Sequence, residues 1–226
     1  MSPLTRPWSL VAPLAVCLVL QGAAAWANTF DRLDNAAVVL DELLSAPDKG
    51  VPADLLAKAA CVVVVPGLKK AGLGLGAEYG RGYAVCRVGD AWSAPAAVRM
   101  ESGSIGFQIG VSEIDVVLLV MNRRGMERLL SSRFTLGGDA VVAAGPIGRS
   151  AEAKTDVTMR AEILSYSRSR GVFAGVALEG ATLREDTSAN RELYGRRTRN
   201  RSILAGKVAT PDDAAELMVV LKKHGV

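Results

Sequence analysis

The spacing of apolar positions changes period several times along the chain, and each change marks an element. Phe30, Leu33, Ala37, Leu40 and Leu44 recur at three- and four-residue steps, which predicts an amphipathic helix over residues 29–46. Pro47 and Gly50 end it, and Pro52, suited to a first helical position, predicts a short second helix over 52–60. Cys61-Val-Val-Val-Val65 is a continuous apolar run stopped by Pro66 and Gly67, which reads as a buried strand with Lys69 and Lys70 in the turn after it. From Gly72 to Tyr79 glycine alternates with larger residues, giving a strand with one nearly bare face. Tyr79-Gly-Arg-Gly82 reads as a turn, and 83–88 as the returning strand. Further strands are predicted over 96–100, over 103–111 and over the apolar run 115–121. Asn122 is placed to cap a short helix over 123–131, and 134–145 returns to strand with a bend at Gly137-Gly138-Asp139.

The most regular alternation lies in 163–180. Leu164, Tyr166, Arg168 and Arg170 share one face; after Gly171, Val172, Ala174, Val176 and Leu178 continue at period two. Two strands joined at a glycine give this pattern, and the chain reads as organised around them. Gly175 and Gly180 leave room for another backbone or a bound group. Near the C-terminus Thr210-Pro211-Asp212-Asp213 has the composition of a helix start, followed by Ala214, Leu217, Met218 and Leu221 on one face. The fold class expected is α+β: a mainly antiparallel, short-stranded sheet or barrel-like core, with helices at the N-terminus, the middle and the C-terminus.

One stretch stands apart from this fold. Residues 1–27 carry Arg6, an apolar run from Leu10 to Leu20 broken by Pro13, and a small-residue cleavage site at Ala25-Trp26-Ala27. This reads as a secretory signal peptide cut after Ala27, since the run is short for a membrane span and no basic cluster follows it. The expected destination is periplasmic or secreted, with a peripheral place at the outer membrane as one form of it. Residues 28–226, about 200 in number, suit a single domain. Its core is expected over about 33–195, and a basic connector with the last helix over 196–226. Cys61 and Cys86 remain after cleavage, and an even count in an oxidising compartment predicts a disulfide between them, with two buried free thiols as the alternative.

The formal net charge of +4 is a mild excess that argues against a dedicated nucleic-acid binder. His224 is the only histidine, close to the C-terminus, which leaves no base for Ser-His or Cys-His chemistry and no histidine-based metal site. The glycines of 72–82 lack the lysine and hydroxyl of a phosphate loop, so close backbone packing accounts for them better. No two carboxylates among Glu101, Asp115, Asp139 and Glu179 are fixed at a working separation. The expectation is therefore a protein without catalytic residues, cofactor or metal. The candidate chemistry is basic: Lys69, Lys70, Arg81, Arg123, Arg124, Arg168 and Arg170 fall at predicted turns or strand ends. Gathered on one side, they would attract anionic head groups; scattered, they would only be solvated. Arg196, Arg197, Arg199 and Arg201 read as a solvated connector.

Several phrases stand together in order: Pro66-Gly-Leu-Lys-Lys-Ala-Gly72, Tyr79-Gly-Arg-Gly82, Gly145-Pro-Ile-Gly-Arg149 and Tyr166-Ser-Arg-Ser-Arg-Gly-Val-Phe-Ala-Gly175, closed by Asn190 and Tyr194-Gly195. Over roughly residues 33–195 the chain resembles the SYLF domain, a family of bacterial secreted proteins and eukaryotic actin-patch and phosphoinositide-binding proteins. The resemblance implies lipid binding, in eukaryotic members through a basic amphipathic N-terminal helix. Here the matching helix is acidic, with Asp31, Asp34, Asp41 and Glu42 against Arg32 alone. The expectation carried over is membrane-lipid association, anionic head groups being the natural ligands of the basic candidates. Actin and SH3-related functions are not carried over. A second expectation is an interaction module in which the apolar stripe of the acidic helix docks another envelope protein.

Overall fold

The computed structural model describes residues 28–46, 50–148, 160–169, 171–176 and 178–225. The proposed leader, Arg149 and Arg170 lie outside these. The architecture is α+β, a strongly curled eight-stranded sheet with helices against it. The strands are β1 (Cys61–Val88), β2 (Ala91–Trp92), β3 (Ala96–Val120), β4 (Arg133–Thr135), β5 (Val142–Ala144), β6 (Ile163–Ser169), β7 (Val172–Gly175) and β8 (Thr182–Glu185). The helices are α1 (Thr29–Ser45), α2 (Ala53–Lys58), α3 (Arg123–Leu129), α4 (Thr187–Tyr194), α5 (Asn200–Leu204) and α6 (Ala215–Gly225).

Two strands are far longer than their sequence suggests. β1 and β3 run for 28 and 25 residues and pair antiparallel from Ala84↔Ala96 to Cys61↔Val120. The turn expected at Tyr79–Gly82 is not formed, and Lys69 and Lys70 lie within β1. Instead the whole ribbon folds back on itself. Lys70 Nζ lies 2.9 Å from Glu78 Oε1, although eight extended residues would span ~26 Å. The Arg87 N–H donates to the Ala60 carbonyl at 2.8 Å, and a Cys61–Cys86 disulfide ties the two ends together. The glycines read as a turn serve this closure. A Cβ on Gly82 would sit 1.9 Å from the Val64 carbonyl oxygen, and one on Gly80 would sit 2.7 Å from Val65 Cγ1. Gly67, at φ +61°, marks the irregularity where the register shifts between Val65 and Leu68.

The outer strands hang on β3, the true centre of the sheet. Its C-terminal half pairs with β6, which carries β5 in parallel and β7 in antiparallel; its N-terminal half pairs with β8, which carries β4. The β6–β7 hairpin turns next to Gly171 at φ +77°, as its alternation predicts. The expected strand over 134–145 divides, because β4 joins β8 while β5 joins β6.

Both faces of the central ribbon are buried, which is why Cys61–Val65 shows no alternation. Val62, Val64, Val117 and Leu119 face one cluster with Leu33, Leu40 and Leu43 of α1 and Leu217 and Leu221 of α6. Val63, Val65, Val116, Leu118 and Val120 face the other, with Phe134, Leu183, Ile203 and Leu204. α1 starts where Asn28 accepts a hydrogen bond from the Asp31 N–H at 2.8 Å, and α3 where Asn122 accepts from the Gly125 N–H at 2.9 Å. α6 follows a 3₁₀ turn, Asp212–Ala214.

The closing motif residues act as clamps. Asn190 accepts from the Ala97 N–H at 2.8 Å and donates to Asn200, which donates to the Ala97 carbonyl at 3.0 Å. The Tyr194 hydroxyl donates to the Pro95 carbonyl at 2.6 Å. Together they fasten α4 and α5 to the start of β3. Gly145 lies flat against the Tyr166 ring, and Gly175 packs on the Gly145 backbone, the close approach anticipated at Gly175.

Candidate functional site

α1 crosses the face of the folded ribbon that carries Val62, Val64 and Tyr83, and beyond the apolar contact a polar cleft of about 380 Å³ remains. Lys69, Tyr79 and Arg81 of β1 line it, with Glu113 and Asp115 of β3, Arg168 of β6 and Arg32 of α1. The fold thus converges three of the predicted basic residues, Lys69, Arg81 and Arg168, from strand positions far apart in sequence. Period two explains Arg168: it follows Leu164 and Tyr166 on the face beneath α1, one step beyond the apolar contact.

Arg168, Arg32 and Arg81 of the cleft are each held in place. Arg168 donates through Nε to Asp115 Oδ2 at 2.6 Å, pairs with Glu42 of α1, and stands 5.7 Å from the Phe173 ring. Burial lowers the pKa of its guanidinium. Asp115 also accepts from the Gly67 N–H at 2.9 Å. Burial, with the Glu113 charge, raises its carboxyl pKa against the pull of that N–H. Arg32 lies beside the phenol of Tyr83, whose pKa burial pushes up to about 12 against the opposing Arg32 charge. The Tyr83 hydroxyl donates to the Thr29 carbonyl at 2.5 Å and so anchors the start of α1.

Arg81 donates to Asp186 Oδ2 at 2.6 Å and to Ser188 Oγ at 3.2 Å. The Asp186 bond raises the Arg81 pKa against burial. Burial alone would raise the Asp186 carboxyl, but Arg81, Ser188 and the Ala189 N–H together hold it below its ordinary value. A carboxyl lowered on folding contributes stability that is present above its unfolded pKa, about 4, and is lost as pH falls through the folded value. An Arg81→Met variant is therefore expected to unfold about 2 kcal/mol more easily at pH 7. The difference from the parent should shrink below about pH 4 in urea titrations; a difference independent of pH would count against the pair.

The other basic candidates go elsewhere. Lys70 is occupied by Glu78, Arg123 pairs with Glu127 at 3.1 Å, and Arg124 reaches Glu162 at 3.4 Å. None of these three lines the cleft. Of the connector arginines, Arg199 pairs with Glu185 at 2.8 Å, and all four are exposed. His224 is not a frayed end, since its Nε2 lies 2.8 Å from Asp41, whose pKa Lys223 and His224 lower. Sequence reasoning did not reach Arg32, Tyr79 and Glu113 as site residues. The available signal was Arg32, a lone cation on an acidic helix and yet buried. Among the described residues no cluster of potential metal ligands occurs, and no helix is long and apolar enough to cross a membrane.

Residues 101–224 match the family model described as Ysc84, Las17-binding protein actin regulator. The chain belongs to the SYLF (Ysc84) family. The human SH3 domain-containing YSC84-like protein 1 is 37% identical over 179 residues, covering 78% of this chain and 52% of that protein. The rat protein of that name matches equally. Protein YSC84 of Saccharomyces cerevisiae is 35% identical over 181 residues, 78% of this chain and 38% of its own length. The SYLF chain thus spans about half the length, or less, of the curated relatives it matches. The cleft lies within the SYLF unit, and Lys69, Tyr79 and Arg81 belong to two of the motif phrases that carried the resemblance.

Proposed function

We propose that this SYLF protein is an exported, non-enzymatic module that associates with membrane lipid and takes a polar head group into the cleft between α1 and the folded ribbon. The observation that carries this reading is the convergence of Arg32, Lys69, Arg81 and Arg168 on one cleft. Arginine forks bind phosphate oxygens well, and Glu113 and Asp115 beside them suit a head group that also carries a cation. The disulfide supports an oxidising compartment, the periplasm or the exterior. Co-sedimentation with anionic, zwitterionic and lipid A-containing vesicles tests the reading. Binding to at least one vesicle is expected, with a Lys69→Glu variant about tenfold weaker at low salt and less affected at high salt. Absence of the protein from every pellet would overturn it.

A second reading, an interaction module for another protein, is favoured by one feature. An apolar groove of about 470 Å³ lies between α1 and α6, lined by Ala37, Val38, Val219 and Val220 and rimmed by Asp41, Glu42 and Glu216. The stripe of α1 itself is not available, because Leu33, Leu40 and Leu43 are spent on the core. Some relatives are named for binding Las17 or for an SH3 domain, which points the same way for the family. Cross-linking in intact cells that recovers one stoichiometric protein, together with inert vesicles, would favour this second reading.

A further inference from the structure

The ribbon's fold-back leaves an apex, residues 71–77 of β1 and 102–112 of β3, that holds no ionisable side chain. Charges resume at its borders, with Lys69 and Lys70, Glu78, Glu101 and Glu113. Ala71 pairs with Val111 and Leu73 with Ile109 across the ribbon. Beyond a register irregularity Leu75 pairs with Ile105. At the intervening step Gly72 pairs with Gly110, leaving the opposite face bare. Val111 is 82% exposed, the most exposed large apolar residue among those described, and Ala71 opposite it is exposed too.

The cleft lies directly behind this apex. Lys69, Tyr79 and Glu113, three of its lining residues, stand one or two positions from the apex, within ~7 Å along a strand. A charge-free tip, apolar apart from Gln108 and three serines, with mixed-charge groups one step behind it has the layering of a bilayer interface. A protein partner would instead be recognised through tyrosine, tryptophan or arginine anchors, and the apex has none of these.

We propose that the fold-back apex, residues 71–77 and 102–112, is a wedge that enters the interface of a lipid bilayer and so brings the cleft to head-group depth. This rests on the lipid reading above and adds the element that does the anchoring. Entry is shallow. A two-stranded ribbon keeps unpaired backbone groups along its outer edges, which hydrocarbon would leave unsatisfied, whereas the head-group and acyl boundary supplies water. The wedge carries no charge, so its share of binding does not respond to salt, in contrast to the share carried by Lys69.

The test uses vesicles of zwitterionic phosphatidylcholine and phosphatidylethanolamine in 0.5 M salt. Val111→Asp is expected to lower vesicle partition at least tenfold, and Val219→Asp, exposed on α6 and outside the apex, to leave it within twofold. Both should keep the parent's circular dichroism and thermal midpoint. A Val111→Trp protein should shift its emission to the blue on binding and be quenched by brominated lipid. If Val111→Asp binds like the parent and the tryptophan stays unquenched, while Lys69→Glu still weakens binding at low salt, the wedge is refuted and the cleft reading stands. Binding confined to anionic or lipid A-containing vesicles at low salt refutes the wedge alone, and no binding to any of the three kinds of vesicle refutes both. If Val111→Asp acts only by dissolving a lipid-free, concentration-dependent dimer, the apex contacts a second copy and the proposal is wrong.

Discussion

A Gly82→Ala protein is expected to lose at least about 3 kcal/mol of stability, enough to bring an ordinary domain near unfolding. The added Cβ would lie 1.9 Å from the Val64 carbonyl oxygen and 2.7 Å from Val65 Cα, both backbone atoms. Neither side can give way. Val64 and Val65 are held by Val117 and Val116, and Gly82 by Val98 in the same continuous ribbon. Relief therefore means prising the two ends of the ribbon apart, with loss of the contacts that define the curled sheet. Gly103→Ala is the matched control, because a Cβ there meets nothing within 4 Å. Urea unfolding followed by circular dichroism should show a large fall in midpoint for the first variant and a change within about 1 kcal/mol for the second. Similar midpoints for the two would mean that the ribbon does not close as described.

Removing the disulfide is expected to have an effect of comparable size. Cys61 and Cys86 are 25 positions apart, and closing a loop of that length in the unfolded chain corresponds to about 3.5 kcal/mol. A Cys61→Ala/Cys86→Ala protein should lose roughly this amount. Both cysteines are fully buried, so reductant should act slowly on the folded protein and quickly in urea. Alkylation without reductant, read by intact mass, shows whether both thiols are blocked. Free labelling of both would remove the bridge, and with it the main structural support for an oxidising compartment. The two variants act on the same closure from different sides: Gly82 allows the approach in the folded state, and the bridge restricts the unfolded one.

Much of this fold was legible from local pattern because local pattern reports burial. The helical steps of Leu33, Ala37 and Leu40 placed α1, the cap expected at Asn122 starts α3, and the alternation around Gly171 placed the β6–β7 hairpin. The run Cys61–Val65 read as a buried strand and is one, with both faces covered. The errors concentrate at Tyr79–Gly82. Glycines at period two look alike whether the chain turns there or another backbone lies against it, and nothing within a few residues tells the cases apart. The centre was misjudged for a related reason. The alternation of 163–180 is clean because β6 and β7 are short, whereas the apolar pattern of β3 is interrupted at Glu101-Ser102 and Ser112-Glu113, so that one strand reads as three.

For the site, sequence supplied the type of group and tertiary structure supplied the set. Lys69, Lys70, Arg81, Arg123, Arg124 and Arg168 look equivalent as basic residues near glycines. Only the fold-back of the ribbon and the crossing of α1 gather Lys69, Arg81 and Arg168 with Arg32, while Lys70, Arg123 and Arg124 go to Glu78, Glu127 and Glu162. By itself the sequence determined the family, the α+β class, the candidate disulfide and the faces of the short elements. All of these depend on residue identity at short range or on motifs in order. Which strands meet, which cations share a cleft and which apolar residues reach the apex was decided by the closure of one long ribbon. That closure depends on contacts between residues far apart in the chain, which side-chain spacing along it does not encode.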